Sequence, residues 1–180
     1  MQDKTNEQYD SAIAECKTVF IKKTSDYGTS WRVYRTISVI DQIYIKALRI
    51  RTIQEKKQQL VPDDVRGEFI GIINYCVIGL IQLEITGEEP EDMPVNSVEK
   101  LYQEKIETSR KLMQDKNHDY GEAWREMSEQ SFVDLILSKL LRIKRILAND
   151  GVTLISEGIA ANYFDILNYA AFALILSASK

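Results

Sequence analysis

The chain has 180 residues, of which 44% are hydrophobic and 28% charged, and its formal net charge is −4. That length supports one sizeable core or two small ones. The acidic balance argues against a duplex-binding domain, and the polar, acidic stretch Met1 to Asp10 does not read as a signal peptide.

Apolar residues recur at three- and four-residue steps, the period of an amphipathic helix. Ile13, Cys16, Val19 and Phe20 mark a first helix at about 4–24, followed by the Asp26-Tyr27-Gly28 loop. Ile40, Ile43, Ala47, Ile50 and Ile53 mark a second at about 34–58. A third, at about 63–87, has Pro62 in a first-turn position and Asp63 and Asp64 beside the helix N-terminus. The polar linker from Gly87 through Pro90 to Pro94 follows. Asn96 and Glu99 resemble a capping box for a fourth helix at about 97–117, which leads into Asp119-Tyr120-Gly121. Leu135, Leu137, Leu141, Ile143 and Leu147 form the broad apolar face of a fifth helix at about 127–148. Asn149-Asp150-Gly151 is a turn, and a sixth helix runs from about 154 to 178, with Gly158 delaying or bending its start. No stretch alternates long enough for a strand, so the expected fold is all-α.

The two halves repeat. A shift of 93 residues superposes Lys23 on Lys116, Asp26-Tyr27-Gly28 on Asp119-Tyr120-Gly121, and Trp31 on Trp124. It also superposes Asp41 on Asp134, Lys46 on Lys139 and Leu48-Arg49-Ile50 on Leu141-Arg142-Ile143. After one added residue, Asn74-Tyr75 matches Asn168-Tyr169. Chance likeness between amphipathic helices would preserve apolar class only, whereas polar residues, a glycine and both tryptophans recur here in register. The expectation is a six-helix bundle of two pseudo-symmetric three-helix repeats, residues 1–89 and 90–180, packed as one pseudo-dimeric unit.

Three groups carry chemistry in this pattern. The Asp-Tyr-Gly-x-x-Trp segments either plug a helix junction or present Asp to a metal and an aromatic to a base, with Lys23 and Lys116 placed for a phosphate. Lys139 and Arg142 share a helix face that is either solvated or lines a polar cleft beside Asp134. Glu157 and Asp165 lie about two turns apart on the sixth helix. An acid inside the apolar run Phe164 to Leu176 needs an ion pair, with Arg142 or Lys139, or a metal. In the first half Gly71 stands where the second has Asp165, Asp63 stands where it has Glu157, and Glu68 supplies an acid one turn earlier. On carboxylates alone the second half holds the better site. His118 is the only histidine, so a His-based metal centre or triad is poorly supported. Cys16 and Cys76 fit neither a metal knuckle nor a redox pair and read as reduced core thiols. The apolar stretches Ile70 to Ile81 and Tyr169 to Ser177 read as too short to span a bilayer, so a cytoplasmic protein off the membrane is expected.

The order Lys116 to Trp124, Asp134 to Ile143, and Glu157, Asp165 to Ala170 resembles the nucleotide modification associated domain 1 family, and both halves carry the pattern. It is more loosely similar to the all-helical MazG-like nucleoside triphosphate pyrophosphohydrolases. Those enzymes hold Mg²⁺ over a triphosphate with acids from paired helices. The resemblance implies a Mg²⁺-dependent handler of nucleotides, hydrolysing dNTPs or modified NTPs to the monophosphate. On that reading Asp134 and Asp165 are catalytic, and Asp134, Glu157 and Asp165 bind the metal. Lys139 and Arg142 hold phosphates, Tyr120 or Trp124 stacks on the base, and Lys116 and Asn168 complete the substrate contacts. The rival is a non-catalytic binding or assembly module in which the repeated polar residues pair with one another; Gly71 favours it. The expected partner is a nucleotide, not nucleic acid, and further homo-oligomerisation is left open.

Overall fold

A computed structural model describes residues 2–62, 64–85, 87, 90–153 and 157–178. Asp63, the expected counterpart of Glu157, and the expected start of the sixth helix at 154 lie outside the described residues, as do Thr86, Glu88 and Glu89. Six α-helices follow in chain order: α1 (Gln2–Tyr27), α2 (Thr36–Lys56), α3 (Val65–Glu84), α4 (Val95–Tyr120), α5 (Glu129–Ala148) and α6 (Ile159–Ala178). Short 3₁₀ turns, Ser30–Val33 and Ala123–Glu126, precede α2 and α5. There is no strand among the described residues.

Helix ends correct the sequence reading in three places. Asp26-Tyr27 and Asp119-Tyr120 are not loop; they are the last turns of α1 and α4. Each helix stops at the following glycine, Gly28 at φ 65° and Gly121 at φ 61°, where a left-handed residue lets the N–H return to Thr24 and Asn117 at 2.8 and 3.0 Å. Asn96 is no cap, since α4 already begins at Val95 behind Pro94. Pro62 lies ahead of α3, whose cap is Asp64, its carboxylate accepting from the Arg66 and Gly67 N–H groups.

The repeats close on each other about a pseudo-twofold. α3 packs along α6, α2 along α5 and α1 along α4, while α1 also reaches α6 and α4 reaches α3. One hydrophobic core draws on all six helices. α3 and α6 are apolar on nearly every side and occupy its centre. At 20 residues each they are long and apolar enough to cross a membrane, contrary to the sequence estimate, but about two-thirds of each apolar window is buried in the bundle. They cross closely because Gly79 lacks a side chain: a Cβ there would lie 2.5 Å from the Tyr163 ring.

Polar ties obey the same symmetry. The Tyr9 hydroxyl donates to Asn168 at 2.9 Å, and the Asn168 amide donates to the Ser109 carbonyl at 3.2 Å. In the mirrored arrangement Tyr102 donates to Asn74 at 2.9 Å, and Asn74 donates to the Cys16 carbonyl at 3.0 Å. Each asparagine therefore locks its own repeat's third helix to both first helices, with its polar atoms paired inside the core.

Candidate functional site

Asp165 sits on the second turn of α6 and is 8% exposed. Its Oδ1 accepts from Lys116 Nζ at 2.5 Å and its Oδ2 from Lys139 Nζ at 2.6 Å. Burial alone would raise its pKa, but the two lysine hydrogen bonds outweigh that and hold the carboxyl below its ordinary range. Lys116 is displaced upward: desolvation opposes its charge, and the bond to Asp165 overcomes the opposition. Two of the substrate-binding candidates are thus paired with one of the metal candidates. The ion-pair solution anticipated for Asp165 is the one observed, with Lys116 joining Lys139.

The remaining expected residues do not converge. Asp134 is exposed on α5 and points to the other repeat, 3.7 Å from Arg51. This is the mirror of Asp41 on Lys144 at 2.8 Å, so the repeated aspartates tie α2 to α5. Arg142 lies with Asp134 along an open groove on the outer side of α5. Glu157 is exposed ahead of α6, near enough to Lys116 for its charge to act there. Among the described residues no three His, Cys, Asp or Glu side chains stand together as a metal site. Asp134, Glu157 and Asp165 as arranged do not fit Mg²⁺. Tyr120 is 73% exposed at the end of α4. Trp124 is buried, stacked on Phe172 at 4.3 Å and covered by the Arg125 guanidinium, so its ring is already occupied. Asn168 spends its amide on the core tie to Tyr9 and Ser109.

A partly enclosed pocket lies in the first repeat instead. A cavity of about 300 Å³ is walled by Phe20, Tyr27, Trp31, Tyr34 and Tyr75, with Lys23 and Lys46 on its lining and no carboxylate among the lining residues. Lys23, Tyr27, Trp31, Lys46, Asn74 and Tyr75 are the repeat's own motif residues. Lys23 has no hydrogen-bond or ion-pair partner among the described residues. Lys46 donates to Glu68 at 3.1 Å, and Arg49 pairs with the same carboxylate. Glu68 thus replaces Asp165 as the buried acid, one turn earlier, as its position in the sequence suggested.

The cavity exists because the third helix is thinner here. On α3 its lining includes Gly67, Ile70, Gly71 and Ile78; the matching α6 positions are Ala161, Phe164, Asp165 and Phe172. All four are smaller in the first repeat, and in the second Phe172 and Asp165 fill the equivalent space. Sequence reasoning favoured the second repeat because it counted carboxylates. A comparison of side-chain volume between the repeats points to this cavity, and to Tyr34 and Ile78 on its lining, which the motif pattern leaves out.

Fold and site together define a duplicated helical-domain protein with one open and one filled copy of the same motif. The chain belongs to the nucleotide modification associated domain 1 family, whose family model matches it twice, over residues 23–83 and 116–176. Each match begins at the lysine that faces the cavity or its filled counterpart, Lys23 and Lys116. No curated protein and no solved structure matches the chain, and the family match does not extend to the MazG-like enzymes.

Proposed function

We propose that this protein binds a nucleotide in the first-repeat cavity, the aromatic wall taking the base and the lysines the phosphate. One observation carries the reading. Among the described residues, the charged side chains on the cavity lining are Lys23 and Lys46, set among five aromatic side chains, within a family associated with nucleotide modification. A cavity near 300 Å³ is at the lower end of small-molecule sites and suits one nucleoside unit. Aromatic rings supply stacking surface for any base, and ammonium groups supply charge-assisted hydrogen bonds to phosphate oxygens. Binding, in this reading, precedes any chemistry; metal-dependent hydrolysis would require carboxylates to be brought in from elsewhere. The buried thiols Cys16 and Cys76, the former with its pKa pushed up to about 12 by burial, fit a reducing intracellular compartment.

The test is calorimetric titration of the full chain with nucleosides and with nucleoside mono-, di- and triphosphates, with and without Mg²⁺. The expected result is saturable binding that survives removal of Mg²⁺ and is lost in Tyr75→Ala, which opens the aromatic wall. Absence of binding across the whole panel would refute the reading.

A further inference from the structure

Resting on that reading, we infer that the first-repeat cavity is an anion slot for a phosphoryl group between Lys23 and Lys46. The second repeat is the same slot, held by the chain's own Asp165 carboxylate.

The internal duplication supplies the control that a single domain would lack. In the second repeat a carboxylate bridges Lys116 and Lys139 at 2.5 and 2.6 Å. The corresponding Lys23 and Lys46 both line the cavity, and the residue corresponding to Asp165 is Gly71. The first repeat has both cations and lacks the internal anion at this position. Glu68 does not replace it fully: it takes Lys46 and Arg49 but leaves Lys23 without a partner among the described residues. Lys46 lies across Gly71, its Nζ 3.2 Å from where a Cβ would stand, and one hydrogen bond to Glu68 leaves it N–H groups to give. A phosphoryl oxygen is the chemical equivalent of the missing carboxylate oxygen, and it suits two ammonium donors of which Glu68 offsets only one. The loss of ring volume at Ile70 and Ile78, relative to Phe164 and Phe172, leaves room beside the slot for the rest of the ligand.

The experiment titrates the full chain with inorganic phosphate, a nucleoside and its monophosphate, in the wild type, Lys23→Met, Gly71→Asp and the pair Asp165→Gly/Phe172→Ile. An Asp at position 71 would meet only the flexible end of Lys46, so Gly71→Asp is expected to fold, and its melting curve verifies that. The wild type should bind one equivalent of phosphate or monophosphate. Affinity should fall on the order of tenfold or more in Lys23→Met, and likewise in Gly71→Asp, which recreates the self-filled state. The double variant should bind a second equivalent. Phosphate binding that ignores Gly71→Asp, or a wild type that takes up no phosphate in any form, would overturn the slot. If phosphate binds as described but no nucleoside phosphate binds more tightly than phosphate itself, the slot stands and the nucleotide reading falls. If nucleoside and monophosphate bind alike and Lys23→Met has no effect, the slot falls and base binding remains.

Discussion

The Asn74 side chain accepts a hydrogen bond from the Tyr102 hydroxyl at 2.9 Å, across the boundary between the two repeats. Its symmetry mate, Tyr9 on Asn168, has the same length. Both asparagines and both tyrosines are buried, so truncation strands groups that water cannot reach. Asn74→Ala and Asn168→Ala should each cost about 1–3 kcal/mol, because the tyrosine and the backbone carbonyl both lose a partner. In a chain of this size that is a fall in Tm of roughly 3–10 °C, read by thermal melting. A fall under one degree in both would contradict the assignment of the Asn-Tyr motif to the core.

Asp165 makes stability depend on pH in a definite direction. Its pKa lies below the ordinary 3.8, so its contribution is complete above that value and is lost as pH falls toward the folded-state pKa. Lys116 is raised above 10.5, so its share is complete below that value and is lost as pH climbs past it. Asp165→Asn should therefore be less stable than wild type across the neutral range, by about 1–3 kcal/mol, discounted from a fully buried pair because Lys116 is half exposed. The difference should narrow as pH falls below about 3.8, where the unfolded chain begins to take up the proton, and close as pH falls through the folded-state pKa. Urea midpoints of both proteins at pH 3, 7 and 9 measure it; a difference as large at pH 3 as at pH 7 would contradict the ion-pair account.

The fold was legible because its signals are periodic and local: helical spacing, breakers, and a register in which Asp26, Gly28 and Trp31 return at Asp119, Gly121 and Trp124. The site was legible only in part. The sequence shows that Asp165 must be paired, and that Gly71 and Glu68 break the symmetry. It does not show which way Asp134 faces, because an acid at that helical position serves an inter-repeat pair as readily as a cleft. The structure gives it to Arg51. Nor does a single motif reveal that Trp124 is covered while Trp31 borders open space; that depends on Phe172 and Ile78, distant in the chain and apolar in both halves.

Asp134→Ala follows from the same placement. The pair with Arg51 is exposed on both sides, and exposed pairs contribute about 0–1 kcal/mol. The variant should melt within about 2 °C of wild type and bind the nucleotide panel unchanged. A tenfold loss of ligand affinity would return Asp134 to the site and reopen the metal reading.

At the centre of the bundle, Gly79→Ala sets two effects against each other. Alanine gains up to about 1 kcal/mol of helix propensity over glycine. Against that, its methyl would stand 2.5 Å from Cζ of Tyr163, a ring in the buried core, and overpacking costs about 1–3 kcal/mol. The clash should win, and the variant should be destabilised. Tyr163→Leu removes the ring, so in the double variant Gly79→Ala should become neutral or stabilising. A double-mutant cycle from denaturant unfolding gives the coupling; additive effects would mean that α3 and α6 do not meet at this point.

The same crossing bears on whether either half can stand alone. α3 and α6 pack against each other as extensively as against the second helix of their own repeat, and α1 and α4 each reach into the opposite repeat. Residues 1–89 or 90–180 expressed separately would expose the central helix, about two-thirds of whose apolar window is buried in the intact chain. Such a fragment should associate or aggregate. Pairing two copies of the second half would replace Gly79 with its counterpart Ala173 opposite Tyr163, reproducing the clash that glycine avoids. The two different halves should therefore prefer each other: co-expressed, they should elute as one 1:1 complex with the helical signal and melting behaviour of the intact chain. Light scattering coupled to size exclusion reads the outcome. Stable, monomeric, cooperatively folded halves would show that the shared α3–α6 core is not what holds the protein together.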